Sequence, residues 1–114
     1  MPEIAFVLPV LPGKEEVDRE TMQRFASGDE REAFAASRRS HGIRREAVWH
    51  QETPSGTLAI VLIEADDLER ALTGTATSED AFDQRFRDYA REVHGVDLGA
   101  VPPPRVEPII DARF

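Results

Sequence analysis

The chain has no cysteine, which removes disulfides, thiolate nucleophiles and cysteine-ligated metals from consideration. It has one tryptophan and one tyrosine, so any aromatic recognition surface beyond its phenylalanines must use Trp49 or Tyr89. No apolar run approaches the ~20 residues of a membrane-spanning helix. The amino terminus, Met-Pro-Glu-Ile, shows neither a basic leader nor a cleavable apolar stretch, so a cytoplasmic location is expected. Basic residues are outnumbered, 14 against 22 acidic ones, for a net charge of −8. Phosphate backbones and anionic membranes attract the opposite sign, so neither nucleic acid nor membrane is an expected partner. A glycine-rich phosphate loop and a GxSxG elbow are both missing, which argues against nucleotide binding and covalent serine catalysis.

What remains is a single domain spanning residues 1–114, 40% hydrophobic and 32% charged, long enough for a modest core. Its most informative stretch is Leu58-Ala-Ile-Val-Leu-Ile-Glu-Ala65, apolar on both faces where a half-buried strand should alternate. One face needs helices and the other needs a second cover.

Ile4–Val10 reads as a first strand and Pro12-Gly13-Lys14 as a turn. A helix follows on Val17, Thr21 and Phe25. Ser27-Gly28-Asp29 interrupts it, either as a kink or as a stop and restart capped by Ser27 or Asp29. Its second half carries Ala33, Phe34, Ser37 and His41, and Gly42 supplies a left-handed end. Arg44–Glu52 and Leu58–Ala65 form a hairpin through Thr53-Pro-Ser-Gly56. A two- or four-residue loop places Arg45 opposite Glu64 and puts Trp49 on the face of Leu58, Ile60 and Leu62. A three-residue loop would oppose Glu46 to Glu64, and facing like charges are unfavourable.

Asp66-Asp67 starts a short helix that Gly74 should break. Thr77 or Ser78 caps a longer one with its stripe on Phe82, Phe86, Tyr89, Ala90 and Val93. Gly95 ends it. The Pro-rich segment 101–114 begins as a stiff linker, and Arg105–Ile110 offers a weak last strand. The expected fold class is α+β: a ferredoxin-like βαββαβ order, with an antiparallel sheet and helices on one face.

Pro12-Gly13-Lys14, Arg31-Glu32-Ala33 with Ser37, and Gly42-Ile43 with Glu46 resemble the first half of a small uncharacterised bacterial family. Glu64-Ala-Asp-Asp-Leu-Glu69 with Ala71, and Ser78 with Phe82-Asp83, resemble its second half. The family looks like part of the dimeric α+β barrel group, with its monooxygenase-like, cyclase-like and haem-dependent members. The resemblance implies a homodimer with facing sheets, and a cleft between each sheet and its own helices.

The expected function is therefore binding of a small apolar or aromatic metabolite in that cleft, or cofactor-independent chemistry of the monooxygenase or cyclase type. The alternatives are a non-catalytic structural or regulatory homodimer, and a haem-binding protein using one of the three histidines. His50, His41, Glu64 and Tyr89 are the candidate acid–base or orienting groups. Trp49, Phe34, Phe86 and Arg38 are the candidate ligand contacts.

Each has a plainer reading. Trp49 can be core filling, and Tyr89 a rim tyrosine with a wet tip. Glu64 can pair with Arg45 or reach water at a strand end, and Asp66-Asp67 serves as a helix cap. His94 closes a helix, where the dipole favours a cation. No HxH or HExxH spacing occurs, so neither a metal nor another cofactor is expected.

Overall fold

The computed structural model describes residues 2–114. It is an α+β domain with the order β1 (Glu3–Pro9), α1 (Glu15–Ser27), α2 (Arg31–Ser40), β2 (Ile43–Thr53), β3 (Gly56–Ala65), α3 (Leu68–Thr77) and α4 (Ala81–His94). The strands form one antiparallel sheet in the order β1-β3-β2. The apolar strand from residue 58 onward is its centre, paired along both edges.

The period of two divides the sheet cleanly. Ala59, Val61, Ile63 and Ala65 of β3 are buried beneath the helices. Their partners on that face are Leu8, Phe6 and Ile4 of β1, and His50, Val48 and Glu46 of β2. The opposite face carries Leu58, Ile60 and Leu62, flanked by Ala5, Val7, Ala47 and Trp49. No helix covers it, so Val7 stays 54% exposed and Trp49 50%.

The hairpin closes with Thr53 paired to Gly56, and Arg45 lies opposite Glu64 as the charge argument required. The Thr53 hydroxyl stabilises the turn by donating to the Gly56 carbonyl at 2.7 Å and accepting from the Ser55 amide at 3.1 Å. An irregularity between Ile43 and Arg45 then shifts the register at the far end, as a β-bulge does.

The break after Ser27 is a full stop. Helix α2 restarts behind Glu30, which makes no side-chain cap, so neither Ser27 nor Asp29 has the expected capping role. Gly42 and Gly95 adopt left-handed backbone (φ 73° and 68°) directly after α2 and α4, where a Cβ would be strained. Asp67 caps α3 by accepting from the Arg70 amide at 3.1 Å.

Gly74 does not break α3, which continues through it to Thr77. Nor do residues 105–110 form the expected last strand: the segment is irregular and unpaired. The sheet therefore has three strands, with a free edge along both β1 and β2.

One part of the core lies between the inner sheet face and α3, around Val61, Ile63, Ala65 and Ala71. A second joins Ala59 and Val10 to Val93 of α4. Each fully buried valine or isoleucine contributes about 1.5–3 kcal/mol. The space among α1, α2 and α4 is filled by aromatic rings. Phe25 stacks on Phe34 and meets Phe82 edge-on, both at 5.2 Å between centroids.

Candidate functional site

An open cavity of about 370 Å³ lies between the inner sheet face and helices α3 and α4. Its floor includes Phe6, Leu8, Val48 and Val61, its roof Leu72, Ala76, Phe86 and Ala90, and its mouth Val101–Pro104. Beside three threonines, four ionisable side chains reach this apolar lining: Arg38, Glu46, Tyr89 and His94. They come from α2, β2 and α4, and each is fixed from behind by a buried group.

Behind Tyr89 stands Asp18, which is 0% exposed. Its position on α1 follows the helical period, with Thr21 and Phe25 on the same buried face. The Asp18 carboxylate accepts from His50 Nε2 at 2.6 Å through Oδ2, and from the Tyr89 hydroxyl through Oδ1. Tyr89 also lies 3.1 Å from His94 Nε2, while His94 Nδ1 lies 2.7 Å from the Pro9 carbonyl. Burial first, and then the hydrogen bond and negative charge of Asp18, push the Tyr89 phenol far above its ordinary pKa of 10.0. It therefore stays protonated.

The number of protons in this chain has a chemical consequence. A carbonyl can only accept, so His94 Nδ1 carries a proton. Tyr89 has a single proton and gives it to Asp18. A neutral His94 would then turn a lone pair toward the phenol oxygen, whereas an imidazolium would donate to it. His50, Asp18, Tyr89 and His94 thus form a relay that one proton on His94 completes.

Arg38 is 6% exposed. It donates from Nε to Glu46 at 2.8 Å, from Nη2 to the same carboxylate at 3.4 Å, and from Nη1 to the Ser37 hydroxyl at 3.1 Å. Its guanidinium carbon lies 4.2 Å from the Phe86 ring centroid and 4.7 Å from that of Phe34, a favourable cation–π geometry. Three of its five N–H groups are engaged, so two remain for an acceptor in the cavity.

A third cluster extends this one away from the cavity. Asp83 is 0% exposed and accepts from Ser37 at 2.5 Å and His41 Nε2 at 2.9 Å. Burial pushes its carboxyl pKa up, but hydrogen bonds from Ser37, Ser78 and His41 together outweigh this and hold it below the usual 3.8. Gly74 makes room for the imidazole, since a Cβ there would lie 2.4 Å from His41 Nδ1. Among the described residues, no buried side-chain nitrogen or oxygen lacks a partner. Among them, too, no three His, Asp or Glu residues gather as a metal site would require.

Of the residues singled out from sequence, Tyr89, Phe86 and Arg38 line the cavity. His50 and His41 point to the same side of the sheet but act on buried aspartates rather than on the open space. Phe34 belongs to the aromatic packing under Arg38. Trp49 and Glu64 stand on the uncovered sheet face, where Glu64 lies between Arg45 and Glu3. The fold separates those two from the rest.

Sequence reasoning missed Asp18 and Asp83, and it gave His94 only a helix-end role. The available signal was an acidic residue inside an otherwise buried helical stripe, Asp18 beside Val17 and Asp83 beside Phe82. No family model matches the chain, and neither a curated protein nor a solved structure shows significant similarity to it.

Proposed function

We propose that this protein binds a small, largely apolar or aromatic metabolite in the cleft between its sheet and helices. The observation that carries this reading is the cavity itself. Its volume of about 370 Å³ falls within the 300–1,000 Å³ of small-molecule sites, and a mostly apolar wall with a few convergent polar groups is their usual composition. Arg38 offers N–H donors to a ligand carbonyl or phenolate. Tyr89 and His94 lie along the same cavity, and a neutral His94 holds a lone pair on Nε2 beside the Tyr89 hydroxyl.

That arrangement suits proton transfer to or from an enolisable carbonyl or a phenol. His94 would take the proton, and Tyr89, held by Asp18 and His50, would stabilise the resulting imidazolium by accepting from Nε2. No cofactor enters this scheme. It is the cofactor-independent chemistry expected from the resemblance to the dimeric α+β barrel group. The same resemblance, with the uncovered apolar sheet face, supports a homodimer in which two such faces meet. A non-catalytic homodimer is the second reading, supported by that face alone. The haem reading draws little support, because Nε2 of His41, His50 and His94 is in each case already hydrogen-bonded.

The test is calorimetric titration with bicyclic aromatic ketones and phenols, on the native chain and on Ala76→Phe. Ala76 is a half-buried helix residue on the cavity wall, so phenylalanine there fills space without removing a contact. Binding by the native chain and its loss in Ala76→Phe is the expected result. An absence of binding across the set, or equal binding by both proteins, would exclude the cleft as the site.

A further inference from the structure

The carboxyl-terminal segment has no regular secondary structure and carries several exposed apolar residues. Every residue from Val101 to Phe114 is exposed. Among the described residues, no hydrogen bond or ion pair joins Arg105–Phe114 to the rest of the chain, and the single ion pair there, Arg113 with Asp111, is internal. Val106 is 48% exposed, Ile109 86% and Ile110 82%. Isolated exposed aliphatics are ordinary, but several on one unsupported segment are not.

The surface area gives the size of what is unpaired. The chain exposes 7594 Å², whereas a compact monomer of its 12.8 kDa exposes about 6,300 Å². Its radius of gyration, 14.1 Å, likewise exceeds the roughly 13.3 Å of a compact chain of this length. The excess, roughly 1,300 Å², is more than the ~800 Å² each partner contributes to a standard interface.

A matching vacancy lies on the same polypeptide. The outer sheet face exposes Val7 and Trp49 beside Ile60 and Leu62. At one end of it Glu64 lies between Glu3 and Arg45. Ten extended residues reach about 33 Å, enough to cross three strands spaced ~4.8 Å apart.

Pro102-Pro103-Pro104 stiffen the chain at the cleft mouth, which limits reversal of the following segment. We propose that Arg105–Phe114 is an exchange arm: in each copy it lies across the open sheet face of a second copy, with Val106, Ile109 and Ile110 against Val7 and Trp49. The inference rests on the two-copy assembly proposed above. It replaces direct sheet-on-sheet contact by the arm as the cover of that face, and so as what holds the copies together.

The sequence provides its own probes, a single tryptophan on the receiving face and no native cysteine. Chains carrying Trp49→Phe and a nitroxide at Ile110→Cys are mixed in excess with unlabelled native chains. Quenching of the native tryptophan by about half or more is expected, since the label and Trp49 are then on different chains. In the full chain, Ile109→Asp with Ile110→Asp should weaken dimerisation about a hundredfold or more in sedimentation velocity, with unchanged circular dichroism.

Quenching only when label and tryptophan share one chain would mean the arm folds back, and would overturn the proposal. So would a complete absence of quenching. An Asp/Asp variant that dimerises like the native chain would overturn it while leaving a sheet-face dimer intact. A native chain that stays monomeric would remove both dimer proposals. None of these outcomes bears on ligand binding, which the Ala76→Phe comparison reads separately.

Discussion

Asp18 supports the relay behind the cavity, and replacing it tests whether that relay is a real constraint. In Asp18→Ala, His50 Nε2 and the Tyr89 hydroxyl both lose a fully buried acceptor. A hydrogen bond to a charged group is worth about 1.5–3 kcal/mol, and breaking a buried ionic pair by truncation costs about 3–5 kcal/mol in all. Asp18→Asn keeps the shape and an acceptor for His50. Its amide then faces Tyr89, whose proton can turn to His94 Nε2, 3.1 Å away. One charge-assisted bond is lost, and the expected cost falls to about 1–2 kcal/mol. Urea unfolding followed by circular dichroism at neutral pH, with unchanged m-values, should separate the two variants by about 2–3 kcal/mol. An Asp18→Ala protein within about 1 kcal/mol of the native chain would show that the network is incidental. Equal losses in the two variants would show that charge, and not the acceptor geometry, is what Tyr89 and His50 require.

Asp83 makes stability depend on pH. Its folded-state pKa lies below the ordinary 3.8, so its contribution is complete above that value and is lost as pH falls through the lower folded one. Native protein should therefore lose more stability than Asp83→Asn on acidification from about pH 5 to pH 2; parallel losses would refute this. Gly74→Ala should destabilise despite a helix-propensity gain of about 1 kcal/mol, because the new Cβ must displace His41 from Asp83. A higher melting temperature would mean that the imidazole yields freely. Arg38→Met strands the largely buried Glu46 carboxylate and should cost about 3–5 kcal/mol. Adding Glu46→Leu should restore most of it, and a double variant as weak as the single one would contradict the pairing.

How much was legible from sequence depended on the range of the interaction. The hairpin register followed from two charges and a short turn. The Asp67 cap followed from local chemistry. Gly74 misled, because its local meaning is helix breaking while its actual role is to admit His41 from another helix. The last strand failed for a related reason. Arg105–Ile110 has the apolar content of a strand, but Pro108 lacks a donor and the triple proline before it limits reversal. The buried aspartates were invisible because their partners lie far away in sequence, 32 residues from Asp18 to His50 and 42 from His41 to Asp83.

Those distant partners also separate the candidate site from ordinary packing. Taking two carboxylates, three histidines and an ion pair largely out of water costs more desolvation than a hydrocarbon core of the same volume would. A protein needing only to hold α1, α2 and α4 on a sheet could do so with the phenylalanines it already has. The ionisable groups are not scattered through that core. They run in two connected lines, His50-Asp18-Tyr89-His94 and His41-Asp83-Ser37-Arg38-Glu46, and each line ends on the wall of the same cavity. Among the described residues, satisfaction of every buried side-chain nitrogen and oxygen keeps such lines rigid. The groups at their ends are then held in fixed orientation toward the cavity, the preorganisation that ligand recognition and proton transfer both require.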